Sequence, residues 1–328
     1  MKRLAALILL ILLPVAAFAR CDGADTIAAM PAAQRADLLA RAAEMPYGEG
    51  LMWRAEKGDT RITLFGTYHF RHPRTNDHLA ALIPHIEAAD AIYLEVSAED
   101  QQRLDEAIVQ DPSIMFIAEG PTLPDLLGER DWRLLADALA ERGLPSFMVA
   151  KFKPIYAAMM LGLGPCEAQS GVLEEAGIDQ LVGVHAARIG NPSRSLEDFR
   201  TALLLLDGIP QDEQLDMIRL FLDWDINPDD LTYTLRETYL AGKIALFWEY
   251  GRVLSLQYGG PDAEADFEAF EDLLLTRRNA DWMKTLDADG ITGEVLIAVG
   301  AAHLPGENGL LRLLEGRGYA ITRLPFDP

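Results

Sequence analysis

The sequence Arg-Ile-Thr-Leu-Phe-Gly-Thr-Tyr-His at residues 61–69 decides the fold class, and Glu-Val-Leu-Ile-Ala-Val-Gly-Ala-Ala-His at residues 294–303 repeats its organisation. In each stretch a pattern typical of a β-strand ends at a glycine, and a histidine follows three residues later. Gly66 and Gly300 are expected to let the backbone turn sharply at the end of the strand. We therefore predict a strand and a Gly-x-x-His turn near each end of the chain.

The segments around these turns complete an α/β pattern. Helical periodicity over residues 76–89, with Asn76 or Asp77 as N-cap, leads to a strand at residues 91–96. A helix at residues 308–317 and a strand at residues 319–324 follow the second turn. We predict an α/β (α+β) fold, in which helices flank a central mixed β-sheet built from both ends of the chain.

The middle of the chain is predicted to be a large helical insertion, at about residues 98–290, with one short strand at residues 193–196. Pro and Gly separate most of its helices. The predicted helices lie at residues 99–110, 131–142, 154–163, 173–187, 196–207, 212–224, 229–240, 244–258 and 262–286. One or two short helices are also expected within residues 25–45.

The N-terminus has the features of a signal peptide. Lys2 and Arg3 precede an apolar run at residues 4–13, and Ala17-Phe18-Ala19 provides the small residues required for cleavage after Ala19. The apolar run is shorter than the roughly 20 residues needed to span a membrane. We expect residues 1–19 to be removed and residues 20–328 to form a single domain in the periplasm or outside the cell. An uncleaved membrane anchor is the alternative.

Charge and cysteine content narrow the possible partners. The formal net charge of −22 argues against nucleic acid, because phosphate binding relies on Lys and Arg. A peptide or a small molecule is the expected substrate, and no later segment is apolar enough to span a membrane. Cys21 and Cys166 are the only cysteines, and in an oxidising compartment they most simply form one disulfide. Two unpaired thiols are the alternative.

Three residues could carry chemistry. His69 and His303 are expected over the carboxyl ends of their strands, where open α/β sheets bind ligands. Glu95 lies in an apolar strand, and burying a carboxylate costs several kcal/mol unless it is paired or bound to a cation. The alternative for Glu95 is a salt bridge on an edge strand. Two histidines and a carboxylate can bind a divalent cation, or without metal one histidine can act as general base on water.

At these residues the chain resembles the TraB/PrgY/GumN family, which includes the TIKI proteases. The resemblance covers nearly all of the mature chain. The motifs that carry it are Leu64-Phe65-Gly66-Thr67-Tyr68-His69, Tyr93-Leu94-Glu95, Lys153-Pro154, Gly177-Ile178-Asp179, Ser195-Leu196-Glu197, Arg277-Arg278-Asn279-Ala280-Asp281-Trp282 and Ala298-Val299-Gly300-Ala301-Ala302-His303-Leu304. It implies a fold shared with erythromycin esterase-like and ChaN-like proteins. For the TIKI branch it also implies a metal-dependent protease, with His69, Glu95 and His303 as the catalytic and metal-binding residues.

Arg278 and Asn279 match an Arg-Asn pair that precedes the last Gly-x-x-His strand in the resembled family. Such an arginine could clamp a carboxylate or stabilise an oxyanion, and the alternative is a surface arginine. Asp179 and Glu197 could orient the histidines from outside the site. The alternative interpretation of Asp179 is that it caps a helix. The alternative for Glu197 is that it lies in the first turn of a helix, where the helix dipole favours a negative charge. The residues expected to support the site are Gly66, Thr67, Gly300, Asp179 and Glu197.

The resulting functional prediction is an exported hydrolase, a metal-dependent peptidase or esterase-like enzyme that resembles the TIKI proteases and uses Mn, Zn or Co. The alternative is a metal- or haem-binding or peptide-sequestering protein without catalysis, as ChaN-like proteins suggest. The remaining histidines are expected outside the site. His72 is interpreted as solvated in a loop, and His78, His85 and His185 as surface or capping residues of helices.

Overall fold

One six-stranded sheet organises the molecule in the computed structural model, which describes residues 21–172 and 175–328. The strands are β1 (Met52–Lys57), β2 (Thr60–Thr67), β3 (Ala91–Leu94), β4 (Arg194–Ser195), β5 (Glu294–Gly300) and β6 (Ala320–Arg323), in the spatial order β4-β3-β5-β2-β1-β6. The signal peptide predicted at residues 1–19 lies outside the described residues.

The sheet is mixed, as predicted. The strands β2, β5, β3 and β4 are parallel neighbours, whereas β1 runs antiparallel to both β2 and β6. Thr67 at the end of β2 pairs with Gly300 at the end of β5, and Leu94 at the end of β3 pairs with Ala298. The carboxyl ends of β2, β5 and β3 therefore meet at one edge, and the residues that follow these strands are brought together there.

The strand β1 was not predicted. It forms a hairpin with β2, and Lys57 pairs with Thr60 across the two-residue turn Gly58-Asp59. Gly58 adopts φ 56°, a conformation that favours glycine. A Gly-Asp pair between two strand-like runs is a recognised hairpin signal, so the sequence contained the information for this strand.

Helices account for most of the described residues between β3 and β5, which confirms the helical insertion. The helices are α1 (Thr26–Ala29), α2 (Ala32–Glu44), α3 (Thr75–Ala88), α4 (Ala98–Gln110), α5 (Leu123–Ala140), α6 (Ser146–Val149), α7 (Pro154–Leu161), α8 (Pro165–Gln169), α9 (Ile178–Arg188), α10 (Thr201–Asp207), α11 (Gln211–Asp223), α12 (Pro228–Leu240), α13 (Ile244–Tyr258), α14 (Ala263–Glu271), α15 (Arg277–Asp289) and α16 (Leu310–Gly316).

Several predicted helix boundaries were wrong. The N-cap of α3 is Arg74 rather than Asn76 or Asp77, because the Thr75 hydroxyl accepts from the His72 amide at 2.8 Å and starts the turn earlier. The helix α5 is divided by a kink at Gly128, and its second part corresponds to the helix predicted at residues 131–142, whereas the first part, which begins at a capping box of Thr122 and Asp125, was not predicted. The helix predicted at residues 262–286 is interrupted by a π-helical segment, Asp272–Thr276.

Two hydrophobic clusters cover the two faces of the sheet. One contains Phe65 and Leu94 together with residues of α3, α9 and α12. The other contains Leu64 and Tyr93 together with residues of α15 and α16. The alternation along each strand therefore places successive side chains in different clusters, as strand geometry requires. Each fully buried large apolar side chain contributes roughly 1.5–3 kcal/mol, and this burial holds the polar edge of the sheet in place.

The N-terminal arm is fixed to the helical insertion by a disulfide between Cys21 and Cys166, as predicted. Cys166 lies in α8, and the neighbouring Glu167 forms a buried ion pair with Arg236 of α12. Arg236 also donates to the carbonyl of Cys21 at 3.1 Å. Across residues 21–172 and 175–328, no helix is long and apolar enough to cross a membrane.

Candidate active site

The two Gly-x-x-His turns leave neighbouring parallel strands, and their glycines leave room for the site. Gly300 has φ −47° and ψ 131°, a conformation that residues with side chains also adopt, and the chain turns directly after it. A Cβ atom on Gly300 would lie 3.1 Å from Glu95 Oε1 and 3.2 Å from His69 Nε2. On Gly66 it would lie 2.9 Å from the Cβ atom of Ala301. A side chain at Gly66 would overlap Ala301, and one at Gly300 would press on Glu95 and His69.

Glu95 follows β3 directly and turns its carboxylate into the site. Its Oε1 accepts from the amide of Gly300 at 2.7 Å, and its Oε2 accepts from Arg278 Nη2 at 2.6 Å. The side chain is 15% exposed. The edge-strand interpretation was wrong, because β3 lies between β4 and β5. Glu95 does form a salt bridge, but its partner lies inside the site and Glu95 Oε1 is 3.8 Å from His303 Nε2.

Arg278 is the centre of the polar network. Its guanidinium donates to Glu95 and twice to Glu197, with Nε–Oε2 at 3.0 Å and Nη2–Oε1 at 2.6 Å. Its Nη1 lies 3.3 Å from His303 Nε2 and donates at 3.3 Å to the carbonyl of Leu274. The surface interpretation of Arg278 was therefore wrong. The π-helical segment Asp272–Thr276 ends directly before α15, the helix that carries Arg278. Segments of this kind often lie at functional sites.

His303 is a buried, neutral imidazole. Its Nδ1 lies 2.8 Å from Asn279 Oδ1, and the Asn279 amide nitrogen donates to the carbonyls of Asn308 at 2.9 Å and of His303 at 3.3 Å. The amide orientation therefore places the proton on Nδ1 and leaves the lone pair on Nε2. Burial, helped by the positive charges of Arg278 and His69, lowers the pKa of His303 to about 3 despite the nearby Glu95.

The pKa of His69 is shifted in the opposite direction from that of His303. Its Nδ1 lies 3.0 Å from Asp179 Oδ2, and its side chain is 57% exposed at the mouth of the site. Loss of surrounding water disfavours the imidazolium, but the hydrogen bond to Asp179 and the negative charges of Glu95 and Asp179 outweigh this and raise the pKa of His69 to about 9. Asp179 lies in the first turn of α9, but the N-cap is Gly177, so the capping interpretation of Asp179 was wrong.

Glu197 supports Arg278 rather than a histidine. It follows β4, and its Oε2 accepts from Trp282 Nε1 at 2.8 Å. The helix-dipole interpretation was wrong, because α10 begins at Thr201. The indole of Trp282 lies 4.9 Å from the Arg278 guanidinium and 4.3 Å from the His303 ring. Sequence reasoning missed Trp282, although its spacing of four residues from Arg278 places both on one face of α15.

The charged form of Glu95 is strongly favoured. Burial opposes ionisation, but the nearby imidazoles of His303 and His69, the guanidinium of Arg278 and the amide of Gly300 lower the pKa of Glu95 to about 2. The site thus brings together a carboxylate, a guanidinium, a buried neutral imidazole and an exposed imidazole that favours its protonated form. Pairs of groups whose pKa values are pushed apart in this way are typical of acid–base chemistry.

Three other histidines are buried, contrary to the sequence-based expectation. His72, His78 and His185 are 5%, 1% and 6% exposed. Burial lowers the pKa of His72 to about 3 and that of His78 to about 4. Neither is part of the site, because both pack with Tyr239 behind the first Gly-x-x-His turn. Thr67, at the start of that turn, has a buried hydroxyl without a hydrogen-bond partner among the described residues.

The arrangement was also assessed for metal coordination. In the part of the chain that the structure describes, no group of three or more His, Cys, Asp or Glu side chains is arranged to hold a metal ion. The site nevertheless contains imidazole nitrogens and a carboxylate, which are the donor types that bind divalent cations. The outer hydrogen bonds of His69 and His303 are both made through Nδ1, which is how ligating histidines are commonly oriented.

These features define an α/β protein with a histidine–glutamate–arginine site at the carboxyl edge of a mixed sheet. The chain belongs to the TraB/PrgY/gumN family, whose model matches residues 51–323. This confirms the predicted family, and the matched range contains every residue of the site. No curated protein and no solved structure matches the chain significantly.

Proposed function

We propose that this chain is an exported hydrolase that cleaves peptide bonds, with His69, Glu95 and His303 around the reacting atoms. The observation that carries the proposal is their convergence on Gly300. A Cβ atom at Gly300 would lie 3.1 Å from Glu95 Oε1, 3.2 Å from His69 Nε2 and 3.5 Å from His303 Cδ2. Three groups that can bind or move a proton thus face one small volume at the ligand-binding edge of the sheet.

The protein groups have separate roles in this proposal. Without a bound metal, protonated His69, held by Asp179, would give its Nε2 proton to the leaving amine as a general acid, and Nε2 of the neutral His303 ring, oriented by Asn279, would take a proton from the attacking water. With a metal bound, both Nε2 atoms would be ligands instead, so His69 would first lose its Nε2 proton. Arg278 stabilises negative charge on the scissile carbonyl oxygen, because a guanidinium next to a developing oxyanion lowers the energy of the transition state.

Metal dependence is supported by the weakness of the available bases. Groups with pKa values of about 2 and 3, as Glu95 and His303 have, remove a proton from water poorly near neutral pH. A divalent cation such as Mn, Zn or Co, held by Nε2 of His69, Nε2 of His303 and the carboxylate of Glu95, would lower the pKa of a bound water toward about 7. The Arg278–His303 contact of 3.3 Å is long for a hydrogen bond and is readily given up.

Export is supported by the Cys21–Cys166 disulfide, because disulfides persist mainly in oxidising compartments. The site of action would be the periplasm or the exterior of the cell, after removal of residues 1–19.

The proposal is tested with the mature chain and a degenerate octapeptide pool, with and without Mn²⁺, by counting new peptide N-termini in a mass spectrometer. His69→Gln and His303→Gln are expected to lower cleavage at least about 100-fold, as loss of a general acid or base does. His85→Gln, at the far end of α3, is the matched control and should cleave as the wild type does. Wild-type cleavage by both site variants would refute the proposal. Tight peptide binding without cleavage would instead indicate a peptide-sequestering protein.

Metal binding is measured separately, by equilibrium dialysis against Mn²⁺. About one equivalent should bind to the wild type and to His85→Gln, as expected for a site with two histidines and one carboxylate. Binding of the same amount by His303→Gln would remove this site as the location of the metal.

A further inference from the structure

Tyr239 joins the helical insertion to the first Gly-x-x-His turn. It lies in α12 and is 1% exposed. Its hydroxyl donates to the carbonyl of Gly66 at 3.0 Å. Burial raises the pKa of Tyr239 well above its usual range, so the hydroxyl keeps its proton and remains a donor. The ring packs against Tyr68 with centroids 5.0 Å apart and against His72 at 5.7 Å.

The turn that carries His69 begins at the end of β2, where the amide of Gly66 donates to the carbonyl of Leu51 at 2.8 Å and Thr67 pairs with Gly300. The His69 side chain is 57% exposed, so packing contributes little to its position. Asp179 holds the ring through Nδ1, and the backbone carbonyl of His69 lies so close to Gly177 that a Cβ atom there would overlap it. At the beginning of the turn the carbonyl of Gly66 accepts the hydrogen bond from Tyr239, and α9 holds the end of the turn.

The helix that presents Tyr239 is itself firmly anchored. One turn before Tyr239, Arg236 makes the buried ion pair with Glu167 and donates to the carbonyl of Cys21 at 3.1 Å. Thr234, on the same helix, accepts from the amide of Thr26 at 2.9 Å. The hydroxyl of Tyr239 therefore comes from an anchored helix and meets the turn at a defined point.

We infer that Tyr239 is a positioning residue, which sets the place of His69 through the carbonyl of Gly66. The effect on the turn stands on its own, whereas an effect on rate rests on the proposed hydrolase function. Tyr239→Phe removes only the hydroxyl and keeps the ring packed. Tyr250→Phe is the matched control, because Tyr250 is also 1% exposed and its hydroxyl donates at 2.8 Å to Thr26, far from the site.

Hydrogen exchange followed by mass spectrometry tests the effect on the turn. Tyr239→Phe should speed exchange of the amides at residues 66–72 about fivefold, as expected from the loss of one buried hydrogen bond. Tyr250→Phe should leave that segment at the wild-type rate and speed exchange near residues 24–30 instead. Equal exchange of residues 66–72 in both variants and the wild type would overturn the inference. Faster exchange over the whole chain in Tyr239→Phe would also overturn it, since it would indicate a general loss of stability.

Cleavage of the octapeptide pool tests the effect on rate. Tyr239→Phe should lower kcat about tenfold with KM unchanged, because a displaced His69 slows the reaction without weakening binding. Tyr250→Phe should change neither constant. A looser turn with wild-type kcat would overturn the role of Tyr239 in the reaction. Absence of cleavage by the wild type would refute the proposed function, and the exchange result would still decide the role of Tyr239 in the turn.

Discussion

Replacing Arg278 with leucine should destabilise the protein strongly. The guanidinium is 10% exposed and is the ion-pair partner of both Glu95 and Glu197, which are 15% and 7% exposed. Arg278→Leu leaves two buried carboxylates without their cation. Breaking a buried pair by removing one partner costs about 3–5 kcal/mol, which raises the unfolding equilibrium constant by roughly 100-fold to several thousand-fold.

The neighbouring arginine provides the control. Arg277 is 65% exposed and, among the residues that the structure describes, pairs only with Asp272, so Arg277→Leu should lower the free energy of unfolding by no more than about 1 kcal/mol. Both variants are compared with the wild type by urea unfolding at pH 7, followed by circular dichroism. A loss of less than 1 kcal/mol in Arg278→Leu, equal to that in Arg277→Leu, would refute the reasoning.

The pH dependence of this stability difference provides a second test of the ion pair. The folded-state pKa of Glu95 is about 2, below its usual value of 4.5, so its contribution to stability is complete above pH 4.5 and is lost as the pH falls toward 2. Arg278→Leu raises this folded-state pKa. The stability difference between wild type and variant should therefore be largest above pH 5 and shrink between pH 4.5 and 2. A difference that does not change with pH would contradict the role of the ion pair.

Three further outcomes follow from the structure. Cys166→Ser should lower the free energy of unfolding in urea by about 2–5 kcal/mol, because Cys21 no longer fixes the N-terminal arm; no loss would mean that the arm contributes nothing to stability. The buried His78 has a pKa of about 4, below its usual 6.5, so the wild type loses stability as the pH falls from 6.5 to 4. His78→Phe should flatten this part of the thermal unfolding profile, and an unchanged profile would contradict the prediction. Asp179→Asn should lower the pKa of His69 from about 9; an unchanged ring-proton titration in NMR spectra would show that Asp179 does not control it.

The sheet could be predicted largely because its strands carry a strong local signal. The apolar run before Gly300 and the alternating run before Gly66 are each followed by a Gly-x-x-His turn, and both strands are in the structure. The sequence predicted a sheet built from both ends of the chain, but not the pairing of β2 with β5, because that pairing is a contact between distant parts of the chain. The strand β1 was missed although the Gly58-Asp59 pair after it is a hairpin signal, because Met52–Lys57 mixes apolar with charged residues.

The candidate site could be predicted only in part. His69, Glu95 and His303 were identified because each stands out against its strand or turn, and the structure brings them together. The roles of the outer residues depend on contacts across the fold. Glu197 was assigned to a helix start, but its partner Arg278 lies 81 residues away in the chain. Such pairs leave no local pattern. The burial of His72 was missed for the same reason, because it depends on packing against Tyr239, which is distant in the chain.

The central claim is most directly tested by hydrolysis of the octapeptide pool in H₂¹⁸O, with the mature chain, Mn²⁺ and mass spectrometry of the fragments. The account predicts one ¹⁸O atom in the new carboxyl group of each N-terminal fragment, and a rate at least about 100-fold lower for His303→Gln than for the wild type. Fragments without ¹⁸O, or equal rates for wild type and His303→Gln, would contradict it.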